Sequence, residues 1–312
     1  MNNTALLFAG QGAQTVGMGK DLADRFPEAK AWFERANAAL GYDLAGICFH
    51  GPEGELTKTE NAQPGIFLVG WVAFKLLTAR LPSLQVSAMA GLSLGEFTAL
   101  AAAGAFSFET GLGLVRQRGI FMQAACDATR GSMAAIIGLP VAATEELCAE
   151  TGIELANLNC PGQIVISGET ERLNRACEVA RKRGAKRVIP LTVAGAYHSK
   201  LMAGAQPKLQ GILTTTPVQP PSVPVLSNVT AQPHGGSDEI RRGLVEQITS
   251  PVRWEDSMRY LVAGGVTRFI ELGPGKALTG FMKRIDAHAE LFNVADIDSL
   301  EQTVRALGAP AV

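Results

Sequence analysis

The sequence is short of charge, of aromatic residues and of histidine, and each shortage narrows what it can be. Only 18% of its 312 residues are charged and the formal net charge is -1, so nothing in the balance points to a nucleic-acid or membrane-surface partner. The five cysteines, at 48, 126, 148, 160 and 177, are odd in number and contain no C-x-x-C pair. That argues against a disulfide framework or a thiolate metal site and fits a reducing compartment. The four histidines, 50, 198, 234 and 288, lack ligand spacing, so no metal is expected. The start, Met1-Asn2-Asn3-Thr4, has neither the basic segment nor the apolar stretch of a signal peptide. The longest apolar regions, 64–77 and 86–108, are broken by Lys75 and by Ser93, Glu96 and Thr98, short of the ~20 clean apolar residues of a membrane span. A cytoplasmic chain that neither crosses nor coats a membrane is expected.

What is present is a large apolar fraction, 47%, which excludes disorder. A chain of 312 residues implies about two domains and buries enough surface to need no staple. Thr4 to Ala9 is an apolar run ending at Gly10-Gln11-Gly12-Ala13-Gln14, a buried strand meeting a loop. That loop is no phosphate cradle, because Thr15 stands where G-x-G-x-x-G needs glycine. Helices are predicted over 18–40, over 65–79 with Pro64 just ahead, and over 96–103, with a strand over 86–90. Strand, glycine turn and helix in succession predict α/β architecture around a mostly parallel sheet.

Between 129 and 197 the pattern changes. Strands are predicted at 132–138, 155–159, 163–167 and 187–193, with helices at 142–150 and 172–183. The second helix carries Leu173, Ala176, Cys177 and Ala180 at helical spacing. The order βαββαβ is the split βαβ unit. The expected fold is therefore an α/β-hydrolase-like large domain, 1–128 and 198–312, with a ferredoxin-like small domain, 129–197, inserted into it. Beyond the insertion, helices are predicted over 199–214, 239–247 and 254–263, and strands over 225–228 and 267–271.

Gly91-Leu92-Ser93-Leu94-Gly95 lies between the 86–90 strand and a helix, the setting of a nucleophile elbow. The outer glycines allow a sharp turn that throws Ser93 to the top of the sheet. The Leu94 N–H at the helix start can then donate to an oxyanion. A serine hydroxyl needs a base. His50, His234 and His288 read as surface positions, whereas His198 follows the small-domain strand at the entry to a helix. No Asp or Glu declares itself as a third member, which leaves open a Ser93–His198 dyad whose imidazole is oriented by a backbone carbonyl. Arg118 sits among Leu112, Leu114, Val115, Ile120, Phe121 and Met122. A guanidinium there needs a carboxylate partner, either a substrate's or that of a neighbouring acid such as Glu96.

Together these residues resemble the malonyl-CoA:acyl carrier protein transacylases and the related acyltransferase domains of fatty acid and polyketide synthases. The resemblance runs through Phe8–Gln14, Gly91–Glu96, Arg118-Gly119 with Met122, Gly131–Gly138, Asn159–Gln163, Tyr197-His198-Ser199 with Leu201-Met202, Gln247 with Pro251–Trp254, and Glu271–Gly275. It implies Ser93 as acyl carrier, His198 as base, the Gln11 and Leu94 N–H groups as oxyanion hole, a main-chain approach of Gln247 to the histidine, and Arg118 as partner of the acyl group's free carboxylate. Two residues depart from the family's pattern. Leu92 replaces the usual histidine before the serine, and Tyr197 the usual phenylalanine before His198.

The implied reaction is ping-pong transfer of malonyl from malonyl-CoA to the phosphopantetheine thiol of acyl carrier protein, in support of fatty acid synthesis. Coenzyme A thioester and phosphopantetheine are substrates, and no cofactor is implied. The chain is expected to act as a monomer. Carrier proteins are usually acidic, which directs attention to Arg172, Arg175, Arg181, Lys182, Arg183, Lys186 and Arg187, as a docking patch or as ordinary solvated helix face. The rival readings are a trans-acting polyketide acyltransferase, a serine esterase or thioesterase, and a non-catalytic scaffold that keeps the fold.

Overall fold

The computed structural model describes residues 3–308, which divide into two compact units. Of these, the first comprises residues 3–119, 218–226 and 261–308, and the second 120–217 and 227–260. The second unit thus takes in all of 129–197 together with flanking chain on both sides.

In chain order the first unit opens with β1 (Asn3–Phe8), α1 (Lys20–Arg25), α2 (Pro27–Leu40), α3 (Leu44–His50), α4 (Glu53–Thr57), α5 (Thr59–Arg80), β2 (Val86–Gly91), α6 (Leu94–Ala102) and the start of α7 (Phe108–Asp127). The second unit holds β3 (Gly131–Ile137), α8 (Val141–Thr151), β4 (Glu154–Cys160), β5 (Gln163–Glu169), α9 (Thr170–Lys182) and β6 (Arg187–Pro190). It continues with a 3-10 helix (Lys200–Ala205), α10 (Gln206–Thr215), α11 (Ser237–Glu246) and most of α12 (Trp254–Ala263). The first unit closes with β7 (Val266–Leu272), α13 (Ala277–Ile285), β8 (Glu290–Val294) and α14 (Ile297–Gly308).

The first unit's sheet has the order β2-β1-β7-β8, and every pairing is parallel. Its strands read as apolar runs because both faces are covered; Ala5, Leu6, Leu7 and Phe8 are each fully buried. Phe8 pairs with Gly91 on one side and Leu272 on the other. The carboxyl ends of β1, β2 and β7 therefore finish level, where ligands of such sheets bind.

The second unit's sheet has the order β4-β5-β3-β6 with every pairing antiparallel, the ferredoxin-like arrangement expected from the sequence. Ala134, Ile136 and Ile166 pack one face against Leu147 and Cys148 of α8 and Leu173, Ala176, Cys177 and Ala180 of α9.

Several boundaries differ from the prediction, and prolines explain most of them. α5 begins at Thr59 and carries Pro64 inside it; at the sixth helical position the proline gives up one bond to Glu60 O, and packing of a helix buried all along 61–73 outweighs that loss. The single helix predicted over 199–214 is a 3-10 turn followed by α10, because Pro207 cannot donate back to Ala203. β6 stops at Pro190. The strand predicted at 225–228 is a single parallel bridge, Met89 to Val225, directly after Pro224. α5 is the one described helix long and apolar enough to cross a bilayer, but 78% of its apolar window is buried in the fold. It is a core helix.

Candidate active site

The serine turn is built by close packing of backbone. A Cβ on Gly91 would lie 1.9 Å from the Gly95 carbonyl carbon, and one on Gly95 2.2 Å from Phe8 O. No side chain fits at either position, which is why the turn spells G-x-S-x-G. The Leu92 N–H donates to Phe8 O at 3.1 Å and the Gly95 N–H to Leu92 O at 3.0 Å, tying the turn to β1. Ser93 is left at φ 53°, ψ -106°, a conformation that costs about 1–3 kcal/mol and persists only where the surroundings impose it. Leu94 follows as the first residue of α6, so its N–H has no preceding helical carbonyl to bond.

Arg118, on α7, is only 1% exposed. Its Nη2 donates to Ser93 Oγ at 3.0 Å and its Nη1 to Gln63 Oε1 at 2.9 Å. Its guanidinium also stands 5.4 Å from the centre of the Phe97 ring. A cation is thus held in hydrogen-bond contact with the hydroxyl of the elbow. Gln63 then reaches on, its Nε2 donating to Gln11 Oε1 at 3.3 Å. The structure therefore brings Ser93, Arg118 and Gln11 into one hydrogen-bonded chain. Gln63, which the sequence reading missed, is its link. No local sequence signal marks it: its burial, among positions 61–73 of α5 that are all buried, shows only in the fold.

His198, 4% exposed, also has positive φ, 59°. Its Nδ1 lies 2.9 Å from the main-chain oxygen of Gln247, the residue that caps the C-terminus of α11. The last carbonyls of a helix have no intrahelical partner and carry the negative end of its dipole. Such an oxygen can only accept, so in this contact Nδ1 carries the proton and Nε2 is the unprotonated nitrogen. The Gln247 side chain, fully buried, approaches Asn228 Oδ1 at 3.5 Å. Of the other histidines, 50 and 288 are exposed, whereas His234 is half-buried and not the surface position expected for it; it packs against Gly243, where a Cβ would lie 3.1 Å from its ring.

On α9 and just beyond it, Arg172, Arg175, Arg181, Lys182, Arg183, Lys186 and Arg187 are all exposed. Two are committed to neighbours: Arg172 pairs with Glu169 at 3.1 Å, and Arg183 with Glu150 at 2.6 Å and Glu146 at 3.4 Å. All five cysteines are buried, and none is in a disulfide. Burial pushes the thiols of Cys48 and Cys148 up to about 12 and that of Cys126 to about 11, far from the range of a reactive thiolate.

The sequence profile described as the acyl transferase domain matches residues 5–297. The chain belongs to the acyl transferase domain family. Among relatives, this acyl transferase is 42% identical to the malonyl CoA-acyl carrier protein transacylase of Bacillus subtilis strain 168, over 98% of each chain. The crystal structure of an acyl-carrier-protein-S-malonyltransferase from Bartonella henselae superposes with a TM-score of 0.94 at 39% identity, covering 98% of this chain and 100% of that one. A malonyl-transacylase solved in complex with its type II PKS acyl-carrier protein superposes with a TM-score of 0.94 at 37% identity, covering 97% of this chain and 99% of that one.

Proposed function

We propose that the chain transfers a malonyl group from malonyl-CoA to the phosphopantetheine thiol of acyl carrier protein through a malonyl-Ser93 intermediate, as an [acyl-carrier-protein] S-malonyltransferase supplying fatty acid synthesis. The observation that carries this reading is the 3.0 Å contact between Arg118 Nη2 and Ser93 Oγ. An acyl group bonded to that oxygen and ending in a carboxylate presents its charge to a guanidinium that is already buried and fixed. A planar fork meets a carboxylate bidentately, so the site favours a diacid's half-thioester over a plain acyl group.

In this reading His198 takes the proton of Ser93 as the hydroxyl attacks the thioester carbonyl. The Gln11 and Leu94 N–H groups receive the developing oxyanion, and collapse expels coenzyme A as its thiol, which takes the proton back from His198. The carrier's thiol then attacks the acyl-serine by the same steps in reverse order. The thioester supplies the activated acyl group, so the chemistry balances without a cofactor or metal. Before acylation Arg118 holds the nucleophile and Gln63; the incoming carboxylate replaces Ser93 as its second partner, and Gln63 keeps the guanidinium in plane.

For the carrier protein, the reading assigns the α9 surface. With Arg172 and Arg183 engaged by their own carboxylates, Arg175, Arg181, Lys182, Lys186 and Arg187 are the cations left to meet an acidic partner. The chain acts as a monomer in the cytoplasm. The reading is tested by intact-protein mass spectrometry after mixing with malonyl-CoA. The wild-type chain gains one malonyl group and loses it again on adding holo carrier protein, and Ser93→Ala gains nothing. A wild-type chain that hydrolyses malonyl-CoA without passing the group to the carrier thiol would make it a thioesterase instead.

A further inference from the structure

The two N–H groups assigned to the oxyanion, those of Gln11 and Leu94, belong to separate pieces of the first unit. Leu94 opens α6 directly after the elbow, whereas Gln11 lies in the irregular loop that follows β1. An oxyanion hole works only if its donors are held at a fixed spacing before charge develops. The bonds on either side of Gln11 are long for that task. The Ala9 N–H donates to Leu272 O at 3.3 Å and the Ala13 N–H to Gly10 O at 3.3 Å, beyond the usual span of about 2.7–3.2 Å. The 2.7 Å bond from the Gly12 N–H to Gln14 Oε1 is internal to the loop and does not tie it to the elbow.

Leu92 joins the two pieces. Its main chain belongs to the elbow, through the bonds to Phe8 O and from the Gly95 N–H. It is also packed onto Gly10, the residue before Gln11. A Cβ on Gly10 would lie 2.4 Å from Leu92 O and 2.8 Å from Leu92 Cδ2. The first distance is to backbone and excludes any side chain at position 10. The second shows a methyl group of the half-buried leucine lying against the Gly10 Cα. Position 92 is also where the chain departs from the histidine usual in the family it resembles. What stands there instead packs, and neither titrates nor hydrogen-bonds.

We infer that Leu92 is a positioning residue for the oxyanion hole, whose side chain, packed on Gly10, sets the distance between the Gln11 and Leu94 N–H groups. The inference rests on Ser93 acting as nucleophile with those two groups as oxyanion donors. The hole receives the carbonyl oxygen, which every thioester has. Leu92 therefore serves all acyl groups alike, in contrast to Arg118, which meets only a free carboxylate. Truncating the leucine leaves the backbone bonds of the elbow in place and lets Gly10, with a glycine's wide conformational freedom, carry Gln11 out of position.

The test is made on the full chain carrying Leu92→Ala, with single-turnover acylation of Ser93 by malonyl-CoA and by acetyl-CoA, and transfer of malonyl to holo carrier protein. Removing an oxyanion donor outright costs about 10²–10³-fold, and loosening one costs less. The maximal rates are expected to fall by about fivefold to fiftyfold for both acyl groups and in both half-reactions, leaving KM within about twofold. Leu92→Met, apolar and of similar volume, is expected to bring the rates back to within about threefold of wild type. Full rates in Leu92→Ala overturn the inference, even beside a lowered melting temperature, because that is a purely structural role. So does a loss confined to malonyl, a rise in KM at unchanged maximal rate, or a Leu92→Met as slow as Leu92→Ala. If Leu92→Ala does not fold, Leu92→Val, which lacks Cδ2, decides by the same criteria. A Ser93→Ala variant run alongside separates the readings: if it is still acylated, both fall, whereas an inert Ser93→Ala beside a fully active Leu92→Ala removes only the positioning role.

Discussion

Ser93 and His198 share an unusual backbone, φ 53° and φ 59°, but the two units impose it by different means. Ser93 stands between a central parallel strand and a helix, and glycine backbones packed below 2.5 Å of a virtual Cβ lock its turn. His198 stands in an irregular stretch held by hydrogen bonds to Glu154 of β4 and to Gln247 at the end of α11, and by close packing against Gly131 of β3 and the Cys126 sulfur of α7. The first kind of support is local and rigid. The second is assembled from residues distant in sequence, each removable alone. Strain at Ser93 is thus built into a five-residue pattern, whereas strain at His198 depends on the whole unit around it.

That contrast sets what could be read from the sequence. The elbow was legible because its glycines are adjacent to the serine and have no alternative role. The small sheet was legible because its apolar periodicities and turn residues are local, down to the buried stripe of α9. Arg118 stood out as a cation on an apolar helix, although its sequence context left a substrate and a neighbouring acid equally able to explain it. Gln63 was illegible, since its importance lies in two tertiary contacts made from a helix buried all round. The chain beyond Gly275 was also unread. β8 is a five-residue edge strand that buries only Val294, and α13 buries only Leu278 and Met282. The role of the Gln247 carbonyl came from resemblance, because a main-chain oxygen leaves no trace in residue identity.

The comparison can be broken at the base first. Removing the imidazole in His198→Ala is expected to slow both half-reactions by about 10²–10⁴-fold, with Ser93 still in place; a rate near wild type would end the dyad. Next, Gln63→Leu keeps the volume and removes the partner of Arg118. Hydrogen bonds to charged groups are worth about 1.5–3 kcal/mol, so malonyl transfer should fall by roughly tenfold to a hundredfold. Acetyl transfer should change little, and equal losses for the two acyl groups would separate Gln63 from carboxylate recognition.

Smaller still is the effect of surface charge. Reversing Arg175 and Lys182 to Glu is expected to raise KM for the carrier protein about threefold to tenfold, mostly at low salt, and to leave the malonyl-CoA half-reaction alone. If neither KM moves, the α9 face is ordinary solvated surface. The buried thiols give a further expectation that concerns stability. Cys48 and Cys148 are raised from 9.0 to about 12, and Cys126 from 9.0 to about 11. Above pH 9 the unfolded chain releases thiol protons that the folded chain keeps. Stability is therefore complete below pH 9 and declines as the pH rises from there towards 12. Thermal melts across that range, beside Cys48→Ala, check it: the variant's midpoint should fall less steeply.

One buried cation, Arg118, in contact with the Ser93 hydroxyl is central to the proposed reaction. Its most direct test is the rate at which Ser93 is acylated by malonyl-CoA and by acetyl-CoA in wild type and in Arg118→Ala. Truncating one partner of a buried charge pair costs about 2–5 kcal/mol, so malonylation should fall by roughly 30-fold to several thousand-fold while acetylation is far less affected. Equal losses for the two acyl groups would contradict it, because the guanidinium would then be shaping the elbow without reading the carboxylate.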